Sequence, residues 1–301
     1  MTSAECVVVT GAAAVCPAPD DDFGAVVDPL PYLRVRKSRK YLAPQDDLAT
    51  VAAGRALASA HLSPSALGAR AGLAICVGFL SFDERDVDPV LRISVDSDGA
   101  FDMRRFISEG MRKTHPLLTF RCLPNMPAYH ISANFDLRGP YLATYPGVAQ
   151  SYDALERAMD LLLRSDSSVD VMLVAAVAHQ RNFLVGKHFA RIEDGPTMEL
   201  LRDAAAVVVL ERSSSAHARG QRVLARLTEL SRAYEPFDPT EAPPPAHREL
   251  FCGQLRAEDR GCASLLCALS EHLTSGQSTA FVHEANTRDG HTLTSRWEVR
   301  P

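Results

Sequence analysis

Three unbroken apolar runs constrain this chain more than any other feature. Residues 71–80 (AGLAICVGFL), 169–178 (VDVMLVAAVA) and 204–210 (AAAVVVL) are each of strand length. Successive side chains of a strand point to opposite faces of a sheet, so a strand that is apolar throughout needs cover on both faces. Helical periods lie around these runs. Residues 46–62 place Leu48, Val51, Ala52, Leu57 and Ala60 close to helical spacing, with Asp46 and Asp47 near the start. Residues 148–164 do the same with Ala149, Tyr152, Leu155, Met159, Leu162 and Leu163. Further helices are predicted over 101–111 and 125–135, where Pro127 is tolerable in the first turn. Val7-Val8-Val9 predicts a short buried strand ended by Gly11, and residues 141–145 a short strand before a sharp turn at Pro146-Gly147. Strands alternating with helices make this an α/β fold with a largely buried sheet.

The pattern changes after a strand predicted over 222–230. Residues 234–247 contain PFDPTEAPPPAH, the composition of a linker or exposed loop. The remaining tail holds one helix (261–273), a strand (279–283), a turn at Asp289-Gly290 and a last strand (293–299), too little for a second full α/β domain. The expected division is therefore 1–233, a Pro-rich segment 234–248, and a shortened part 249–301.

Composition narrows the function. A net charge of -5 argues against a general nucleic-acid binder, and the run Arg34, Arg36, Lys37, Arg39, Lys40 reads as a solvated loop before a helix in preference to a phosphate-binding patch. No apolar run of spanning length occurs and residues 1–10 do not read as a signal peptide, so the expectation is a cytoplasmic protein with no membrane span. The seven cysteines show no CxxC pairing; Cys6, Cys76 and Cys267 lie in apolar runs and read as buried thiols. No zinc ligand set is visible, and no bound cofactor is expected.

The segment NMPAYHISANFDLRGP, Asn125 to Pro140, resembles the β-ketoacyl-acyl carrier protein synthases of the thiolase superfamily. Other pieces match in order: Val7-Val8-Val9-Thr10-Gly11, the alanine-rich helix over 52–62, Asp170-Val171-Met172, and Asp203 to Glu211 followed by Ala216, Ala218, Arg219 and Gly220. Together they span roughly residues 5 to 230. The resemblance implies a thiolase-like layered fold (αβαβα type) with a complete N-terminal repeat and a truncated C-terminal one.

It also implies what is missing. The family's nucleophilic cysteine falls eight residues after the Gly-Pro turn, where this chain has Val148. In the family that thiolate sits at a helix N-terminus, which lowers its pKa, and accepts the acyl chain as a thioester. A shifted alignment would put Gln150 there, as in chain-length factors that carry glutamine. The family's two catalytic histidines belong to its second repeat; His272 and His283 are the positional candidates, and both read as ordinary surface or interface histidines. His130 reads as a packed structural histidine, Cys122 as a buried thiol, and a Ser151–His130–Asp153 triad lacks the nucleophile elbow such triads use. Arg191 reads as a surface residue.

By resemblance, Asn125, Met126, Ala128, His130 and Ala133 line a substrate tunnel, and Tyr141, Leu142, Ala143, Thr144 and Tyr145 form a dimer interface. The expected function is that of a catalytically incomplete ketosynthase-like protein. It would act as chain-length factor or partner subunit of a ketosynthase in type II polyketide, aryl polyene or fatty-acyl biosynthesis. Its partners would be a ketosynthase subunit or a second copy, and an acyl carrier protein with its phosphopantetheine. The alternative is a ketosynthase-like enzyme with altered chemistry that uses no cysteine thioester.

Overall fold

The computed structural model describes residues 5–80, 82, 84–192, 195–236, 247–277 and 279–300. Among the described residues ten strands form one sheet: β1 (Val7–Val15), β2 (Ala71–Val77), β3 (Tyr141–Thr144), β4 (Val171–Ala178), β5 (Ala204–Arg212), β6 (Ala225–Tyr234), β7 (Arg248–Phe251), β8 (Gln254–Leu255), β9 (Phe281–Asn286) and β10 (His291–Val299). Their spatial order is β3-β2-β4-β5-β1-β6-β10-β9-β7-β8. Four helices cover it: α1 (Pro44–Ser59), α2 (Met126–Phe135), α3 (Val148–Leu163) and α4 (Ser264–Thr274). Short helices over Glu84–Ile93, Met103–Ser108 and Leu118–Cys122 make a peripheral group. Residues 101–111 are thus not one helix: Asp102 caps a first turn through the backbone N–H groups of Arg104 and Arg105, and the chain re-forms as a 3-10 turn at Gly110–Lys113.

The first half is layered as its apolar runs demand. β2 pairs in parallel with β3 and β4, while β5 runs antiparallel to both β4 and β1. The core on one face joins α1 and α2 to the sheet through Leu48, Val51, Ile131 and Phe135; that on the other joins α3 through Ala149, Tyr152, Leu155 and Leu162. Gly11 does not end β1, which continues through it with a register shift to Val15. The glycine is needed for proximity: a Cβ there would stand 2.4 Å from the Ala56 carbonyl oxygen on α1 and 2.7 Å from Cβ of Ala60, the residue that ends it.

The tail extends this sheet and does not start another. β6 pairs along its length with β10, and β10 with β9, all antiparallel. Phe281, His283 and Ala285 on β9, and Leu293, Ser295 and Trp297 on β10, are buried, alternating with more exposed neighbours. That period of two is the mark of a strand covered on one face. Its cover is α3 with α4, so the antiparallel half wraps the same helix pair that packs on the first half. The strand expected over 222–230 begins at Ala225 and runs to Tyr234, and β7 starts at Arg248; residues 237–246 of the Pro-rich segment lie outside the described residues.

Candidate functional site

The carboxyl ends of β1, β2, β3 and β4 all reach the same edge of the sheet, where ligands bind in open α/β folds. β3 leads through Tyr145, Pro146 and Gly147 into α3. Gly147 is the residue before the helix, and its N–H donates to Gln150 Oε1 at 3.0 Å. Gln150 is thereby occupied as a helix cap. Val148 takes the first helical position, where backbone N–H groups lack helical partners. Its side chain is 8% exposed and packs in the core.

What packs beside it is the tail. A 3-10 turn at Gly261–Ala263 enters the space between the start of α3 and the ends of β2 and β4. Ser151 Oγ donates to the Cys262 carbonyl at 2.7 Å, and the Cys262 thiol donates to the Val177 and Cys76 carbonyls at 3.4 and 3.6 Å. The Cys76 thiol donates to the Gly147 carbonyl at 3.5 Å. Cys76, Ser151, Cys262 and Ala263 are all buried, so the first turn of α3 is covered by this chain's own residues. The turn is held from behind: Asp259 Oδ1 accepts from the Gly261 N–H and from Gln180 Nε2, both at 2.8 Å.

His283, expected at the surface or an interface, is instead fully buried. Strand alternation turns it inward, where Nδ1 meets Tyr152 Oη at 2.8 Å and Nε2 meets Glu249 Oε1 at 3.2 Å. Glu249 also faces His247. Burial alone would raise the Glu249 carboxyl, but hydrogen bonds from His247 and His283 bring it down to about 2. The same contact with Glu249 raises His247, against the effect of burial. His272 lies on α4 with Nε2 2.9 Å from the Thr279 carbonyl oxygen.

The structure divides the expected tunnel residues. Met126, Ala128 and His130 are buried, while Asn125 and Ala133 are exposed and form one stripe with Tyr129, itself 59% exposed. Burial lowers His130 to about 4; its Nε2 stands 3.9 Å from Asp46 Oδ2, whose carboxyl burial raises. Ser151, His130 and Asp153 do not meet. Ser151 bonds to the tail, His130 lies on the α1 side of the sheet, and Asp153 pairs with Arg232. Cys122 and Cys6 are half-buried, less enclosed than expected. Arg191 is exposed.

The interface residues sit at the end of the sheet. β3 pairs with β2 alone, so its outer edge has no strand partner among the described residues. Tyr141 is 62% exposed, Ala143 and Tyr145 are exposed, and Leu142 and Thr144 are half-buried. Large apolar side chains are also exposed through the preceding segment, among them Met103, Ile107, Met111, Phe120 and Leu123.

Two residues at the strand ends went unnoticed in the sequence. His179 and Arg181, just past β4, line two cavities of about 290 and 380 Å³ together with Pro44. His179 Nε2 is 3.7 Å from Asp203 Oδ2. Asp203 also accepts from the Arg181 N–H at 2.8 Å. A histidine directly after an apolar strand was the available signal.

With this geometry in place, the class is defined. The chain belongs to the β-ketoacyl synthase family: the family described as "Beta-ketoacyl synthase, N-terminal domain" matches residues 27–193. The fold is thiolase-like, and solved structures carry it over most of the chain. One is of a type II polyketide synthase acyl-carrier protein in complex with its ketosynthase bound to the hexaketide. It shows 15% identity and a TM-score of 0.72, covering 98% of this chain and 100% of that one. A β-ketoacyl synthase from Burkholderia phymatum STM815 shows 14% identity and a TM-score of 0.65, covering 99% and 100%. The ishigamide ketosynthase/chain length factor shows 15% identity and a TM-score of 0.55, covering 80% and 65%. No curated protein matches the sequence. Among the described residues, no helix is long and apolar enough to cross a membrane.

Proposed function

We propose that this chain is a ketosynthase-like subunit without condensing activity of its own, serving as chain-length factor or partner subunit of a ketosynthase in polyketide, aryl polyene or fatty-acyl biosynthesis. The carrying observation is the start of α3. Val148 has no group that can form or hold a thioester, and the Gly261–Ala263 turn fills the space above it. A carrier's phosphopantetheine would meet that turn, so its acyl chain would be received by the partner subunit. The open edge of β3, with Tyr141 and Tyr145 beside it, suits pairing with a second sheet, which gains main-chain hydrogen bonds and covers apolar surface. The stripe Asn125–Tyr129–Ala133 would then face the partner and bound the acyl tunnel by its volume. Two solved structures similar to this chain contain a ketosynthase with its acyl-carrier protein and a ketosynthase with a chain length factor.

Co-expression with a cysteine-bearing ketosynthase tests the reading. The expected result is a soluble heterodimer in which only the ketosynthase becomes acylated, seen by intact mass. Val148→Cys on the purified single chain is expected to give no 3-oxoacyl product, and Ala133→Phe to shorten the product of the pair. An acyl thioester on this chain alone, turning over, defeats the proposal.

A second reading rests on the His179–Asp203 pair in the strand-end cavities, where a non-thioester chemistry could find a base. His179→Ala is expected to leave the activity of the pair unchanged; its loss with the heterodimer intact would favour this reading.

A further inference from the structure

Among the seven cysteines, two lie sulfur to sulfur in a setting that differs from the rest. Cys16 follows the last residue of β1 and is half-buried, while Cys267 sits on α4 and is fully buried. The Cys16 thiol points at Cys267 Sγ, 3.6 Å away. A disulfide needs about 2 Å, so a movement of roughly 1.5 Å would join them. Arg260 lies close enough for its charge to act on both sulfurs, and is anchored by Glu271 and Glu258. The contact from Cys267 lowers the Cys16 pKa, opposed by burial and aided by Arg260; the same contact and burial raise Cys267. Cys16 is partly open to solvent and Cys267 is fully enclosed, the arrangement expected of an attacking and a resolving thiol.

We propose that Cys16 is a peroxide-reactive modification site, and that Cys267 resolves it into a reversible disulfide tying β1 to α4. The Cys16 thiolate attacks one peroxide oxygen. The O–O bond breaks, hydroxide leaves and takes up a proton as water, and Cys16 becomes a sulfenic acid. Cys267 then attacks the Cys16 sulfur, the S–O bond breaks, and a second water departs. In sum two thiols and one hydrogen peroxide give one disulfide and two waters; a dithiol reductant reverses it. The pair Cys76 and Cys262 at the start of α3 is buried on both sides and offers no such entry.

The test is a contest with accessibility. Cys252 is the exposed cysteine and would react first if exposure alone decided. The native full chain is treated with a few equivalents of hydrogen peroxide, then unfolded, alkylated and mapped by mass spectrometry. The expected result is loss of two of the seven free thiols, a Cys16–Cys267 crosslinked peptide, and full recovery with dithiothreitol. Cys267→Ala should leave a sulfenic acid on Cys16 that dimedone traps; Cys16→Ser should leave Cys267 alkylated. Cys252→Ser, a surface change, should not alter the crosslink. If Cys252 oxidises while Cys16 and Cys267 both keep their thiols, or if the crosslink joins other cysteines, the proposal fails.

Discussion

The two halves of the sheet are held to the same helix by different means. Strands β2, β4, β5 and β1 are apolar on both faces and lie between two helical layers, so their cohesion is distributed over many interchangeable aliphatic contacts. Strands β6, β10, β9 and β7 bury one face, and the tail is fixed by individual polar bonds: Tyr152 on α3 to His283 on β9, Ser151 on α3 to Cys262 in the Gly261–Ala263 turn, and, within the sheet, His283 to Glu249 on β7. Aliphatic packing tolerates exchange, whereas a buried hydrogen bond fails when one partner is removed. The tail is therefore a fitted piece, specific to this α3.

The largest effect is expected where the first half does rely on one polar contact. Glu211 is buried and accepts from Arg219 Nη2 at 2.8 Å and Nε at 3.1 Å, and from Thr10 Oγ1 at 2.5 Å. Arg219→Ala leaves that carboxylate without its cation and should cost about 3 kcal/mol in urea unfolding, reducing stability of the whole chain. His283→Ala should cost about 2 kcal/mol, since it removes the buried imidazole that bonds both Tyr152 and Glu249. Its effect should be regional: amide exchange in β9 and β10 speeds up while β2 and β4 stay protected. Equal acceleration in both halves would end the distinction. Gly11→Ala, which drives a methyl into α1, should cost about 1–3 kcal/mol and act on the first half.

The smallest effect is a pH dependence of the tail. Glu249 is lowered from 4.5 to about 2, so its contribution is present above 4.5 and is lost as pH falls toward 2. His247 is raised from 6.5, so its contribution is complete below 6.5 and is lost as pH rises through the folded value. The stability gap between wild type and Glu249→Gln should be widest between pH 4.5 and 6.5. A gap constant from about pH 4 to about pH 9 would show that the pair does not hold the tail.

Much of the first half could be read from residues, because a strand covered on both faces writes itself as an unbroken apolar run. Gly11 misled for the same reason that β1 is buried: a glycine demanded by helix contact looks like one demanded by a turn. The matched letters Thr10, Glu211 and Arg219 carried the resemblance without showing that they meet as one buried contact. In the tail, the alternation over 281–286 is plain, yet nothing local says which helix it faces. Cys262 is 111 residues from Ser151, and a pairing so distant leaves no periodic trace. Val148 owes its significance to alignment with a family, and its seat beneath the tail only to three dimensions.

The two ends of the ten-stranded sheet are unlike. At one, β3 presents four residues of backbone; at the other, β8 is two residues long, with the Arg256 guanidinium placed over the Phe251 ring 4.9 Å away. Strand addition has a template at the first end and almost none at the second. Growth by pairing at β3 would consequently stop once two sheets are joined, so the sheet guards against fibres.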